Sequence, residues 1–289
     1  MISKTLRSVA ILSLCLVVNL VAFGQKEMTA EEIINKHIEA IGGKENLAKA
    51  KSRMALGTSE FVQRSLGQKV TGRAVLASDG SDFAWFCSFS LEEYSKERIG
   101  IFANKINIPF LQQGVRSPLG RYLLSNDKVL NDRLFGGAIF PTWRLFNLEQ
   151  NDGKFEADGK KKINGKETLV VRYRPKSGLR AGSTIRLFFD AQTFNHVRTE
   201  MKLSEPDKGF YEINGKNTEM GPGMASNGSS LTEDFDDFKP VIGLNLPHKY
   251  TVDLTLDGMS GTAQFKWLVQ IVEYRSVNDF GKDFFTFAS

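Results

Sequence analysis

Cysteine is nearly absent from this chain, and its absence removes whole classes of architecture. Only Cys15 and Cys87 occur in 289 residues, and Cys15 lies within an N-terminal apolar run. With that run removed, Cys87 stands alone, so no internal disulfide can form and the fold must be held by its own core. In FAWFCSFSL the expectation for Cys87 is a small buried apolar residue. Histidine is scarce too. His37, His196 and His248 are far apart in sequence with no H-x-x-x-H spacing, so no metal site is expected. Catalytic signatures are missing as well. There is no G-x-S-x-G, and Gly258-Met259-Ser260-Gly261 has the wrong spacing. The Gly-Lys pairs starting at 43, 159, 165 and 215, like those at 153 and 281, have no Ser or Thr after them, so there is no phosphate loop. The sequence gives no positive case for an enzyme, and none is expected.

Charge is balanced. Lys and Arg number 38 against 33 Asp and Glu, a net +5 to which Lys4 and Arg7 of the N-terminal segment contribute. No dense basic stripe appears, so nucleic acid is not an expected partner. The first 24 residues read as a secretory signal: a short basic start, then SVAILSLCLVVNLVAFG, with small residues Ala22 and Gly24 before a cut at Gln25. Leu14 precedes Cys15, which lies too early in the run for a lipid-attachment site. Residues 25–289 then form a single domain without a transmembrane segment, expected in the periplasm.

MTAEEIINKHIEAIGG is the clearest helix. Thr29 and Glu32 make a capping box, Ile33, Ile34, His37, Ile38 and Ile41 share a face, and Gly42-Gly43 ends it. A second short helix is expected over residues 44–51. From Arg53 the texture is of strands. Asn164-Gly165 is a hairpin signal between KFEADGKKKI and KETLVVRYRP, and Asn214-Gly215 marks a small hairpin in the polar flap 204–230. In PHKYTVDLTL, the residues His248, Tyr250, Val252, Leu254 and Leu256 alternate with Lys249, Thr251, Asp253 and Thr255, as a half-buried antiparallel strand requires. Ala263, Phe265, Trp267, Val269 and Ile271 alternate likewise. The segment 103–125 is expected as a loop or broken helix, and 136–150 as a helix starting near Pro141. The cluster Glu233, Asp234, Asp236 and Asp237 reads as a solvated strand face. About ten or eleven sequential strands with few helices predict a mainly β fold: one large curved antiparallel sheet covered by short helices.

What composition leaves unexplained is the aromatic load of 22 Phe, 3 Trp and 6 Tyr. Phe102, Ile106, Ile108, Phe110 and Leu111 fall in a proline-broken stretch, read here as a lid on an apolar cavity. Trp143, Tyr250, Val252, Leu254, Phe265 and Trp267 are the other candidates for lining that cavity.

IINKHIEAIGGKENLAKAKSRMALGTSEF, the hairpin INGKETLVVRYRP with IRLFFDAQTFNHVR, and DFKPVIGLNLP (Asp237 to Pro247) together resemble the periplasmic outer-membrane lipoprotein carrier (LolA-like) family. The likeness covers roughly residues 28–60 and 153–289. It implies an unclosed β-barrel whose apolar concave side receives acyl chains, with no cofactor. Its partner would be a lipid or an acylated protein. A different class, an envelope sensor or protein-interaction module of the same fold with no transported cargo, is the alternative. An outer-membrane barrel is a third reading, disfavoured by strands that are polar-out rather than lipid-out.

Overall fold

The strand at Ser52–Gln63 (β1) is the axis from which the sheet grows both ways. The computed structural model describes residues 27–148, 153–179, 182–203, 210–213, 216–219, 229–258, 261–281 and 283–287. The expected signal segment and most of the 204–230 flap lie outside the described residues. Ahead of β1, Ala30–Ile41 (α1) and Gly43–Lys49 (α2) form a helix pair. Thr29 caps α1 as predicted: its Oγ1 accepts from the Glu32 amide at 3.2 Å, and Glu32 Oε2 accepts from the Thr29 amide at 2.7 Å. The predicted face, Ile33, Ile34, His37, Ile38 and Ile41, is buried. Gly42 turns the chain with φ +134°, a value that a Cβ would oppose.

From β1 the chain runs outward through Gln68–Asp79 (β2), Asp82–Ser88 (β3), Lys96–Phe102 (β4) and Lys105–Asn107 (β5). It re-enters the sheet at the far edge with Gly153–Ile163 (β6). It then returns through Lys166–Pro175 (β7), Thr184–Asp190 (β8) and His196–Leu203 (β9). A separate two-stranded hairpin, Phe210–Ile213 (β10) with Lys216–Glu219 (β11), follows, as Asn214-Gly215 predicted. Ser229–Val241 (β12), Leu244–Gly258 (β13) and Gly261–Ser276 (β14) complete the sheet. Its order is β5-β4-β3-β2-β1-β14-β13-β12-β9-β8-β7-β6, twelve strands. Every pairing between them is antiparallel. The ends β5 and β6 do not pair, so the sheet curves without closing.

Both edges are protected against further pairing. β5 is three residues long, and β6 carries Lys160, Lys161 and Lys162 beside a register shift after Ala157. The β6–β7 turn places Asn164 at φ 49° and Gly165 at φ 81°, the two left-handed residues of a type I′ hairpin.

Topology dictates the rest. β5 and β6 lie at opposite edges, so the connection 108–148 must cross the whole sheet. It does so as Pro118–Ser125 (α3), Lys128–Asn131 (α4) and two 3₁₀ turns, Gly137–Ile139 and Arg144–Phe146. Here the structure differs from the sequence reading. Residues 105–107 form a strand, and 136–148 form two tight turns and no α-helix. Gly136 at φ 80° begins the first turn, and Pro141 follows it, lacking the amide that a continuing helix would need.

Candidate functional site

The concave face is where the acyl cavity was expected, and there the crossing segment is inserted. Phe135 lies edge-on to Trp85, with ring centroids 5.7 Å apart, and Phe140 tilts onto Phe83 at 4.7 Å. Trp143 packs on His196 at 4.6 Å and edge-on to His37 at 5.4 Å. Six of the eleven predicted lining residues, Trp143, Tyr250, Val252, Leu254, Phe265 and Trp267, come together in this core. All six are buried there. Ile108 is buried in the same core, with Ile106 and Leu111 packed at its margin. Phe110 is 42% exposed, with the Arg116 guanidinium 3.8 Å above its ring. Phe102 and Ile106 belong to β4 and β5 and not to a proline-broken lid. Phe102 packs in a separate cluster with Met54, Ala77, Ala84, Phe280, Phe285 and Phe287. The predicted hollow is thus occupied by the protein's own aromatic rings, because the β5-to-β6 crossing supplies enough apolar volume to fill it.

Three buried polar groups clamp that crossing segment to the sheet. Glu97 of β4 accepts from the Ser117 hydroxyl at 2.7 Å and from Tyr94 Oη, while Ser117 in turn caps α3 by accepting from the Gly120 amide at 2.8 Å. Glu233 of β12 accepts from the Gly136 amide at 2.7 Å and from Tyr250 Oη at 2.5 Å. Arg53 of β1 donates to the carbonyls of Ile139 (3.0 Å) and Ala138 (2.5 Å). Glu233 is therefore not part of a solvated acidic face. Its alternation with Leu231 and Phe235 on the apolar side was the overlooked signal. Its neighbour Asp234 does face outward, paired in a fork with Arg198 at 2.7 and 3.0 Å.

Burial raises the carboxyls of Glu97 and Glu233 to about 7, partly opposed by their hydrogen bonds. Burial lowers His37 to about 4, opposed by its bond to the Phe194 carbonyl, and holds His196 well below the ordinary imidazole range. A carboxyl raised in the folded state is stabilising relative to the unfolded chain at low pH, and that benefit falls as pH rises from the unfolded value towards 7. A histidine lowered in the folded state has the opposite slope, losing stability as pH falls from 6.5 towards 4. The two slopes offset each other in the wild type, so a single substitution is needed to reveal one. Between pH 5 and pH 8, the stability difference between Glu97→Gln and wild type should move in the variant's favour by about 2 kcal/mol, because each tenfold change in proton affinity is worth about 1.4 kcal/mol. Urea unfolding at several pH values measures it; a difference that stays constant would show that Glu97 is ionised in the fold.

His37 and His196, distant in sequence, meet with ring centroids 6.3 Å apart, while His248 packs edge-on to Tyr274 at the core margin, as expected. Among the described residues, no group of three His, Cys, Asp or Glu side chains gathers to hold a metal. Cys87 is fully buried, and burial raises its thiol.

Open space lies elsewhere. A cleft of about 770 Å³ separates the helix pair from the end of the crossing segment. Ile38, Leu47, Ala48, Leu145, Phe146 and Leu148 form its apolar surface. Lys44, Lys51, Arg133 and Arg144 also line it, with no Asp or Glu among the described lining residues. The helix α2 at its rim has no buried residue, so one wall is only lightly held. Sequence reasoning missed this site because its residues come from two short helices and an irregular turn, with no shared period.

No family model matches the chain, and no curated protein matches it. Solved structures do. A LolA superfamily protein from Nitrosomonas europaea is 13% identical, covering 90% of this chain and 98% of its own, with a TM-score of 0.46. A DUF1329 family protein from Desulfovibrio piger is 8% identical, covering 89% and 96%, with a TM-score of 0.45. The Pseudomonas aeruginosa MucA/MucB complex contains a chain 11% identical, covering 86% and 99%, with a TM-score of 0.24. Among the described residues, no helix is long and apolar enough to cross a membrane.

Proposed function

We propose that this chain is a non-catalytic periplasmic carrier for lipids or acylated proteins, and that it holds the acyl portion in the cleft beside α2. The observation that carries the reading is that cleft: about 770 Å³, open, and walled on two sides by aliphatic and aromatic side chains. Its volume lies within the range of small-molecule sites, roughly 300–1,000 Å³. An acyl chain burying ten methylenes there gains about 8 kcal/mol before the costs of association, which is enough for useful affinity without any directional chemistry. The lightly held α2 supplies an element that can yield during loading and release.

The test uses natively purified mature protein. Its organic extract, analysed by mass spectrometry, should contain phospholipid or acylated peptide. After delipidation, a fluorescent fatty acid should bind, and Leu47→Glu and Leu148→Glu should each weaken it at least tenfold. Both residues are only half-buried, so the fold should survive. Binding unchanged in both variants, with native circular dichroism, would overturn the reading. Protein free of lipid but bound to an envelope protein would favour the sensor alternative.

A further inference from the structure

The cleft that binds the acyl chain on this reading also contains a cation without a counter-charge among the described residues. Arg144 is 7% exposed, and its Nε makes no hydrogen bond. Holding a guanidinium out of water without a counter-charge is costly, and an anion seated beside it would restore much of what is lost. Nor is Arg144 isolated. Its backbone amide donates to the Arg133 carbonyl at 3.0 Å, so the fold places the two arginines side by side. The Arg133 side chain reaches Asn104 Oδ1 at 3.2 Å, leaving donors of its fork free of any carboxylate bond among the described residues. Asp82 acts on Arg133 electrostatically but does not line the cleft, and its Oδ1 already accepts from the Ala103 amide. Across the opening stand the exposed Lys44 and Lys51. The neighbouring acidic residue Glu45 is engaged by Lys49 at 2.7 Å.

We infer that this cleft is an anion site joined to an acyl site, selecting amphiphiles with an anionic phosphate or carboxylate headgroup over zwitterionic or neutral ones of the same chain length. A planar guanidinium accommodates such a headgroup by two parallel hydrogen bonds, which a zwitterion with its own internal counter-charge accepts less well. The two lysines add field at the mouth, and this part of the preference weakens with salt. The apolar residues Leu47, Phe146 and Leu148 hold the tail whatever the headgroup.

The experiment titrates the delipidated full mature chain with lysophosphatidylglycerol, lysophosphatidylcholine of the same acyl length, and inorganic phosphate, with both lipids below their micelle concentrations. Lysophosphatidylglycerol should bind at least tenfold more tightly than lysophosphatidylcholine. Arg144→Gln should remove most of that preference by weakening lysophosphatidylglycerol binding far more than lysophosphatidylcholine binding. The double substitution of Lys44→Gln and Lys51→Gln lies on the surface and cannot unfold the protein, so it tests the same point independently. It should reduce the preference and its salt dependence. Equal affinity for the two lipids, or a preference that survives all three substitutions, would overturn the headgroup proposal while leaving the acyl site intact if Leu47→Glu still weakens binding. Phosphate bound as tightly as lysophosphatidylglycerol, with lysophosphatidylcholine not bound, would support the anion site and overturn the acyl reading on which it rests.

Discussion

Val252→Asp should prevent folding, or leave a protein so unstable that no cooperative unfolding transition is seen at 25 °C. Val252 is fully buried on β13, opposite Trp267 in register on β14, in the layer that also holds Leu254 and Tyr250. These neighbours offer no cation to a carboxylate placed there, and the cost of an unpaired buried charge, several kcal/mol, is comparable with the whole stability of a domain. The control is Val272→Asp on the neighbouring strand β14. Val272 is 69% exposed, and the substitution there should change stability by less than about 0.5 kcal/mol. Soluble expression and urea unfolding of the pair check this. A well-folded Val252→Asp protein would mean that the concave face is wet and open, contrary to its packing.

The second large effect concerns the segment that fills the hollow. Trp143→Ala should destabilise the protein by about 3–5 kcal/mol, the usual cost of truncating a fully buried large aromatic. Trp143 is entirely buried among His37, His196 and Phe146, so its removal leaves a cavity that none of these rings can reach across without breaking its own contacts. Chemical denaturation gives the value. A loss below about 1 kcal/mol would show that the crossing segment is not anchored through this side chain. The same variant also has a bearing on function. If the hollow were the cargo site, opening it would raise acyl binding; with the cleft as the site, binding should be little changed in the fraction that folds.

The sequence made the regular parts of the fold legible because they follow simple periods. The α1 stripe from Ile33 to Ile41 and the alternation from His248 to Leu254 each report burial of one face, and both are buried as read. Asn164-Gly165 is equally local: two left-handed residues in succession leave few alternatives. The crossing segment was another matter. Its residues Leu134, Phe135, Ile139, Phe140 and Trp143 are all buried, yet they have no period because they sit on turns whose geometry is set by the sheet beneath. A cavity was therefore inferred where the chain places its own rings. Glu233 was misread for a related reason. A carboxylate among acidic neighbours looks solvated until the group that donates to it, the Gly136 amide 97 residues earlier, is known. The cleft was invisible in the sequence because Arg144 and Lys44 are brought together only by tertiary structure.

On the proposed reading, an amphiphile occupies the cleft beside α2, outside the packed hollow of the sheet. Photo-crosslinking with a diazirine-bearing fatty acid, followed by peptide mass spectrometry, tests it directly. Labelling should concentrate on residues 38–51 and 133–148. Labelling of β13 and β14 around Tyr250, Val252 and Trp267, or no labelling above that of an unrelated protein, would contradict it.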